Sequence, residues 1–211
     1  MILPRFYPIL DTTLLAGRGL EVQIAAKALL GAGVAILQYR HKRAFRQEHF
    51  DDLRWLAEGC RQAGALLIVN DRADFGLLLQ AGVHLGQSDL PVVAARQVLG
   101  PNAVIGYSTH NEQQVRSGDE QPADYLAIGP VFHTKSKQHA DPVLGVAEIA
   151  RLRKLTRKPV VAIGGIGLHQ VQSVFDAGAD SIAVISGLVT PSSSPASLRK
   201  RADEWMAATA E

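Results

Sequence analysis

Val34-Ala35-Ile36-Leu37-Gln38-Tyr39-Arg40-His41-Lys42 is the stretch from which the fold follows. A short apolar run, Val34 to Tyr39, passes directly into a polar cluster, Gln38 to Lys42 (QYRHK), whose side chains suit an anion. Near-continuous apolar strands indicate burial on both faces, the condition of strands in a parallel sheet covered by helices. The same unit recurs along the chain. Apolar, β-rich runs also occupy Phe6 to Leu10, Ala65 to Val69, Val83 to Leu85, Ala103 to Tyr107, Tyr125 to Ile128, Val160 to Ile163 and Ser181 to Ile185. Between them, residues recur at helical spacing, as in Leu53, Leu56, Ala57 and Cys60, or Val171, Val174, Phe175 and Gly178. Several helices are expected to stop at glycine: Gly31-Ala32-Gly33, Gly64, Gly82 and Gly178.

Eight βα units in 211 residues match a minimal (β/α)8 TIM barrel, an α/β fold forming a single domain over residues 1–211. A doubly wound open sheet is the competing architecture. Short strands and the lack of a Gly-x-Gly-x-x-Gly turn after the first strand count against it. Thr190 to Ser197 (TPSSSPAS) is the one low-complexity patch and is expected to join strand eight to a final helix from about Leu198 to Ala208.

Composition narrows the function classes. Hydrophobic residues make up 47% and charged residues 20%, enough for a full core, and the net charge is only +2. No basic run marks a nucleic-acid or membrane surface, and Arg199-Lys200-Arg201 is expected to be a solvated helix face. Cys60, the only cysteine, falls at helical spacing among apolar residues and is expected to be a buried structural thiol. Met1 to Leu10 lacks the pattern of a signal peptide, and no apolar run approaches the ~20 residues of a membrane span. The expected location is cytoplasmic; the oligomeric state is left open.

A barrel gathers its active site in the loops at the C-terminal ends of its strands. Those ends carry Gln38 to Lys42, Asn70-Asp71, Gln87-Ser88-Asp89 and Thr134-Lys135-Ser136-Lys137, which together supply carboxylates, cations and hydroxyls. Asp71 and Asp89 follow neighbouring strands and could meet at one hard cation; Mg²⁺ takes few carboxylates and completes its shell with water and phosphate oxygens. Either aspartate could instead cap a helix. Arg40 and Lys42 alternate along an extended segment and are expected to face one oxyanion. After strand seven comes Ala162-Ile163-Gly164-Gly165-Ile166-Gly167, and after strand eight Val184-Ile185-Ser186-Gly187. Glycines admit a ligand close to the backbone and helix N-terminal amides face anions, so these loops suit a phosphate monoester; the plainer reading is tight turns. Gly129 to Gly145, GPVFHTKSKQHADPVLG, is long for a βα connection and is expected to act as a lid. Thr134, Ser136 and Lys137 offer it two hydroxyls and a cation. His133 and His139 have no acidic or cysteine partner at metal spacing. Ser108-Thr109-His110 tempts toward a nucleophile and base, but an anion-contacting hydroxyl is the better reading.

QYRHK, NDRAD, HLGQSD, GYSTH, DYLAIGPVFHTKSK, AIGGI and VISG, in this order from Phe6 to Gly187, resemble the thiamin phosphate synthase family. Each motif alone is weakly specific; the ordered set is strongly so. The resemblance implies Mg²⁺-dependent condensation of 4-amino-2-methyl-5-hydroxymethylpyrimidine diphosphate with 4-methyl-5-(2-hydroxyethyl)thiazole phosphate, giving thiamin phosphate and pyrophosphate by a dissociative route. It implies Asp71 and Asp89 as metal ligands and Gln38, Arg40, Lys42, Asn70, Ser108 and Lys137 as contacts to the pyrimidine diphosphate. Thr134, Ser136, Gly165 and Ser186, with Ile185 beside it, correspond to the thiazole phosphate site. Arg40, Lys42, Ser108 and Lys137 would carry the catalysis. His41, His133 and Ser136 stand where the family commonly has an acidic residue, proline and threonine. Two relatives by fold compete: a thiazole tautomerase, which carries histidine where this chain has Pro130, and a non-catalytic thiamin- or phosphate-binding barrel. A sugar-phosphate or anthranilate-type isomerase shares the Gly164-Gly165 loop but needs an acid and base pair and no paired carboxylates.

Overall fold

The strands send alternate side chains into two different cores, which fixes the architecture. One apolar cluster contains Tyr7, Ile9, Ile36, Ile68, Tyr125, Ala127, Val161 and Ala183; a second contains Phe6, Leu10, Leu37, Tyr39, Leu67, Val69, Leu126 and Ile182. Period-two alternation therefore places the first set inside a cylinder and the second between cylinder and helices. The computed structural model describes residues 2–134, 142–189 and 193–210. Its strands are β1 (Phe6–Asp11), β2 (Ile36–Arg40), β3 (Leu66–Asn70), β4 (Gly82–Leu85), β5 (Ile105–Thr109), β6 (Tyr125–Ile128), β7 (Val160–Ile163) and β8 (Ser181–Val184). All pair in parallel and in sequence order, and β1 pairs with β8 to close the barrel.

The helices are α1 (Thr12–Ala16), α2 (Val22–Gly31), α3 (Gln47–Ala63), α4 (Ala73–Leu79), α5 (Val92–Leu99), α6 (Glu112–Glu120), α7 (Val146–Arg153), α8 (Val171–Asp176) and α9 (Pro195–Thr209), with a 3₁₀ turn at Leu168–Gln170. Leu53, Leu56, Ala57 and Cys60 are the buried face of α3, and burial pushes the Cys60 thiol up to about 11. Gly64 stops α3 in the left-handed conformation, φ 67°. No described helix is long and apolar enough to cross a membrane.

Three expectations need correction. Gly82 does not end a helix: Gln80 takes the left-handed cap of α4 at φ 54°, and Gly82 belongs to β4. A Cβ at Gly82 would lie 2.5 Å from Ile68 Cδ1 and 2.8 Å from Val104 O, so glycine there permits close packing inside the cylinder. The last helix begins at Pro195, three residues earlier than its apolar pattern, because Ser194 caps it by accepting from Ser197 N and proline suits the first turn. The basic triplet is only partly a solvated face. Arg199 pairs outward with Asp203 at 3.2 Å, whereas Arg201 Nε donates to Gly187 O at 2.8 Å and ties α9 to the turn after β8.

Candidate active site

The last inward-facing position of several strands is polar, although the rest of the cylinder is apolar. On β2 the inward series runs Ile36, Gln38, Arg40; on β3, Leu66, Ile68, Asn70; on β5, Gly106 then Ser108. These positions open onto a cavity of about 360 Å³ at the C-terminal end of the barrel. Gln38, Arg40, Lys42, Asn70, Asp71, Asp89, Ser108 and Thr134 all line it. A second, smaller hollow lies beside it, lined by Thr134, Gly165, Ile185 and Ser186, and both share Thr134, Ile163, Gly164, Ala183 and Ile185. Every described residue expected in the site thus lines one of two adjoining spaces. Ser136, Lys137 and His139, with the centre of the expected lid, lie outside the described residues.

Charge in the large cavity is organised in pairs. Arg40 pairs with Asp11, whose other oxygen accepts from Leu14 N at 2.9 Å and so caps α1. Lys42 Nζ lies 2.6 Å from Asp71 Oδ2. Each cation therefore already holds a carboxylate while facing the cavity. Asp71 sits at φ 64°, fixed by its N–H donating to His84 O at 2.8 Å. Burial, and then the hydrogen-bonding and charged presence of Asp89, raise its pKa against the opposing pull of Lys42. Two carboxylates that burden one another in this way form a site for a cation.

Neither aspartate caps a helix. Arg72 occupies the cap position of α4 and Pro91 that of α5, while Asp89 Oδ2 accepts from Gly86 N at 2.7 Å within its own turn. Asn70 Nδ2 is buried and has no hydrogen-bond partner among the described residues, a donor suited to a phosphate oxygen. The donor set therefore fits a divalent cation with a diphosphate beside it. No cluster of three or more histidine, cysteine or acidic side chains suited to a metal occurs among the described residues, and His133 is exposed.

The glycine-rich loops are corrected in one respect. Gly164 (φ 101°) and Gly165 (φ 68°) are required first by the chain itself: a Cβ on Gly164 would lie 2.6 Å from Pro130 Cβ, and one on Gly165 would collide with His133 O. Val131 N–H donates to Ile163 O and Phe132 N–H to Gly164 O, both at 2.9 Å, so the loop after β6 is stitched to the end of β7. Nor does a long helix start at either loop. The β7 loop runs into the 3₁₀ turn, the Gly167 amide is taken by Gln170 Oε1 at 2.8 Å, and after β8 the next described helix is α9. The residues of these loops that line the small hollow, Gly164 to Ile166 and Ile185 to Gly187, lie outside any helix.

The loop from 129 to 145 has a firm base. Leu144 N–H donates to Pro130 O and Gly145 N–H to Val131 O, both at 2.9 Å, which closes its two ends against each other. Ser108 is not set up as a nucleophile with His110. Its Oγ lies 2.9 Å from His84 Nε2, while His110 Nδ1 lies 2.6 Å from Gly129 O. Tyr7, His84 and Gln114 line the cavity and were not singled out from the sequence, where none belongs to a pattern of its own; His110, weighed there as a base, lines it as well. His41 is buried, bonds Thr12 Oγ1 through Nδ1 at 2.7 Å, and lies with its ring 3.8 Å from that of His49. It braces the β2–α3 loop.

A closed barrel with a charge-lined cavity at the carboxyl ends of its strands and a second hollow on the last two loops has the layout of a (β/α)8 enzyme. Residues 6–188 match the family model described as thiamine monophosphate synthase. The chain belongs to that family. It is 44% identical over 210 residues to a thiamine-phosphate synthase from Koribacter versatilis, covering 97% of this chain and 95% of that one. It is 39% identical over 200 residues to the protein of that name from Syntrophomonas wolfei, covering 94% and 95%. Among solved structures, thiamine phosphate pyrophosphorylase from Pyrococcus furiosus superposes with a TM-score of 0.82 at 31% identity, covering 97% of this chain and 95% of that one.

Proposed function

We propose that this chain is a transferase that joins 4-amino-2-methyl-5-hydroxymethylpyrimidine diphosphate to 4-methyl-5-(2-hydroxyethyl)thiazole phosphate, forming thiamin phosphate and releasing pyrophosphate. The observation that carries the reading is the pair of adjoining spaces, one lined by paired charges and an unpartnered amide, the other by Gly165, Ile185 and Ser186. Family membership supplies the two substrates.

In this reading the pyrimidine diphosphate occupies the large cavity, with Gln38 and Ser108 on the ring and Arg40, Lys42 and Asn70 on the diphosphate. Mg²⁺ held by Asp71 and Asp89 would supply positive charge at the leaving group. The pyrophosphate departs and leaves a pyrimidine methylene cation, which the ring amino group stabilises and the thiazole nitrogen attacks. Such a reaction asks the protein for charge stabilisation and positioning rather than proton transfer. His110 is turned to Gly129 O and does not pair with Ser108 as a base, which agrees with this. Thr134, Ser136, Gly165 and Ser186 hold the thiazole phosphate, Lys137 joins the leaving-group cations, and the loop from 129 to 145 covers the site and keeps water from the cation.

The thiazole tautomerase reading is disfavoured by Pro130 and by the adjoining Asp71 and Asp89 carboxylates. A binding barrel without catalysis would not need cations arrayed at a leaving group. The test supplies both substrates to the purified chain with and without Mg²⁺ and looks for thiamin phosphate by mass. Product that depends on Mg²⁺ is expected; isomerised thiazole carboxylate phosphate instead of coupled product would overturn the reading.

A further inference from the structure

Five side chains from five strands form one continuous chain of hydrogen bonds across the barrel, and only its ends, Gln38 and Ser108, stand out in the sequence. Gln38 Nε2 donates to Tyr7 Oη at 2.8 Å, and the hydroxyls of Tyr7 and Tyr125 lie 2.9 Å apart. Tyr125 Oη lies 3.1 Å from His84 Nδ1, and His84 Nε2 lies 2.9 Å from Ser108 Oγ. Tyr7, Gln38, His84 and Ser108 line the large cavity, while Tyr125 does not. The barrel makes room for this chain at Gly106, where a Cβ would overlap the Tyr125 ring and lie 2.5 Å from His84 Nδ1.

Two proton arrangements satisfy this chain, and the tautomer of His84 decides between them. A phenol has one proton to give, and burial pushes both tyrosines upward, so each keeps that proton. With the imidazole proton on Nε2, Tyr125 gives its proton to His84 Nδ1 and accepts that of Tyr7, whose Oη already accepts from Gln38 Nε2. The imidazole proton then sits on Nε2 and donates to Ser108 Oγ, and the Ser108 hydroxyl donates onward into the cavity. At the other end, Tyr7 engages the Gln38 amide nitrogen, which leaves the carbonyl oxygen as the end of the amide available to the cavity.

We propose that this relay fixes an acceptor at Gln38 and a donor at Ser108, so that the cavity selects a pyrimidine whose amino group donates and whose adjacent ring nitrogen accepts. The 4-oxo form presents the reverse, a carbonyl beside a ring N–H, and is rejected. The inference rests on the large cavity being the pyrimidine diphosphate site. Tyr7, Tyr125 and His84 are then positioning residues that set which end of the Gln38 amide faces the substrate. A site built around hydrogen bonds rejects the mismatched analogue strongly, because its buried polar groups are left unpaired. Removing the Tyr125 hydroxyl leaves the Tyr7 proton without its acceptor. That proton then turns back to Gln38 Oε1 by rotation of an amide whose two ends have the same shape, and the cavity presents N–H instead of C=O.

The test measures KM for the amino pyrimidine diphosphate and Ki for its 4-oxo counterpart, with Mg²⁺ and saturating thiazole phosphate, in wild type, Tyr125→Phe and Tyr7→Phe. The discrimination ratio is expected to fall at least about tenfold in each variant, the factor that one misplaced hydrogen bond makes, with KM for thiazole phosphate unchanged. A measurement on the intact protein accompanies it: the ¹⁵N spectrum of His84 should show the Nε2–H tautomer. Wild type that turns over while both variants keep its ratio, or an Nδ1–H tautomer at His84, overturns the relay alone. Wild type that forms no product refutes the functional reading and the proposal with it.

Discussion

Asp71 combines two demands on one residue, a left-handed backbone at φ 64° and a carboxylate beside Asp89. Asparagine tolerates that backbone as well as aspartate does, and the Lys42 partner it would lose is half-exposed, so the ion pair contributes little to stability. Asp71→Asn is therefore expected to melt within a few degrees of wild type while losing Mg²⁺-dependent turnover by about a hundredfold or more, roughly 3 kcal/mol of transition-state stabilisation. Full turnover in the variant would remove Asp71 from the metal site. His41 makes a different prediction. Its pKa is lowered, first by burial and then by His49, below the 6.5 of the unfolded chain. As pH falls past 6.5 the unfolded state takes up this proton first, so stability is complete above that value and declines through the lowered folded pKa. Thermal melts of wild type should weaken over that acid range more than melts of His41→Gln; parallel curves would contradict this. At this scale the sequence was legible wherever chemistry is unusual for a strand end, as at Arg40, Asn70, Asp71 and Asp89. It was not legible at Tyr7, His84 and Tyr125, because an inward aromatic on a strand looks like core until its hydroxyl is seen bonded.

The βα units were legible as elements because strands buried on both faces leave continuous apolar runs, and α3 shows its buried stripe at Leu53, Leu56, Ala57 and Cys60. Boundaries shifted where a polar residue belongs to a strand: β2 runs on to Arg40, β3 to Asn70 and β5 to Thr109, since the ladder continues through the residues that form the site. Glycines were harder. Gly82, Gly106, Gly164 and Gly165 are needed for contacts between elements far apart in sequence, which no local pattern announces. Gly165→Ala tests this: it places a side chain at φ 68° against His133 O, at a strain of about 1–2 kcal/mol before any clash. KM for thiazole phosphate is expected to rise about tenfold or more, with KM for the pyrimidine diphosphate little changed. Equal effects on both would show that the two loops do not serve separate substrates.

Closure depends on the last helix as much as on the sheet. Trp205 stacks on Phe6 with ring centroids 5.8 Å apart, and its Nε1 donates to Gly187 O at 3.3 Å, an oxygen that also accepts from Arg201. α9 thus holds the turn carrying Ser186 against β1, joining the first strand to the loop after β8 that lines the small hollow. Trp205→Ala is expected to cost about 3–5 kcal/mol in denaturant unfolding, and a smaller loss than about 1 kcal/mol would contradict this role. The barrel and its catalytic end were readable from rhythm alone, but the division of that end into two adjoining spaces required the folded chain, because residues from β2 to β8 converge only there. The proposed reaction requires the two spaces to serve two substrates in one turnover. The direct measurement supplies both substrates and Mg²⁺ to the purified chain and counts thiamin phosphate and pyrophosphate in the same sample. Equimolar appearance of the two, with no thiamin phosphate when either substrate is withheld, is the predicted result; pyrophosphate without coupled product, or neither, would contradict it.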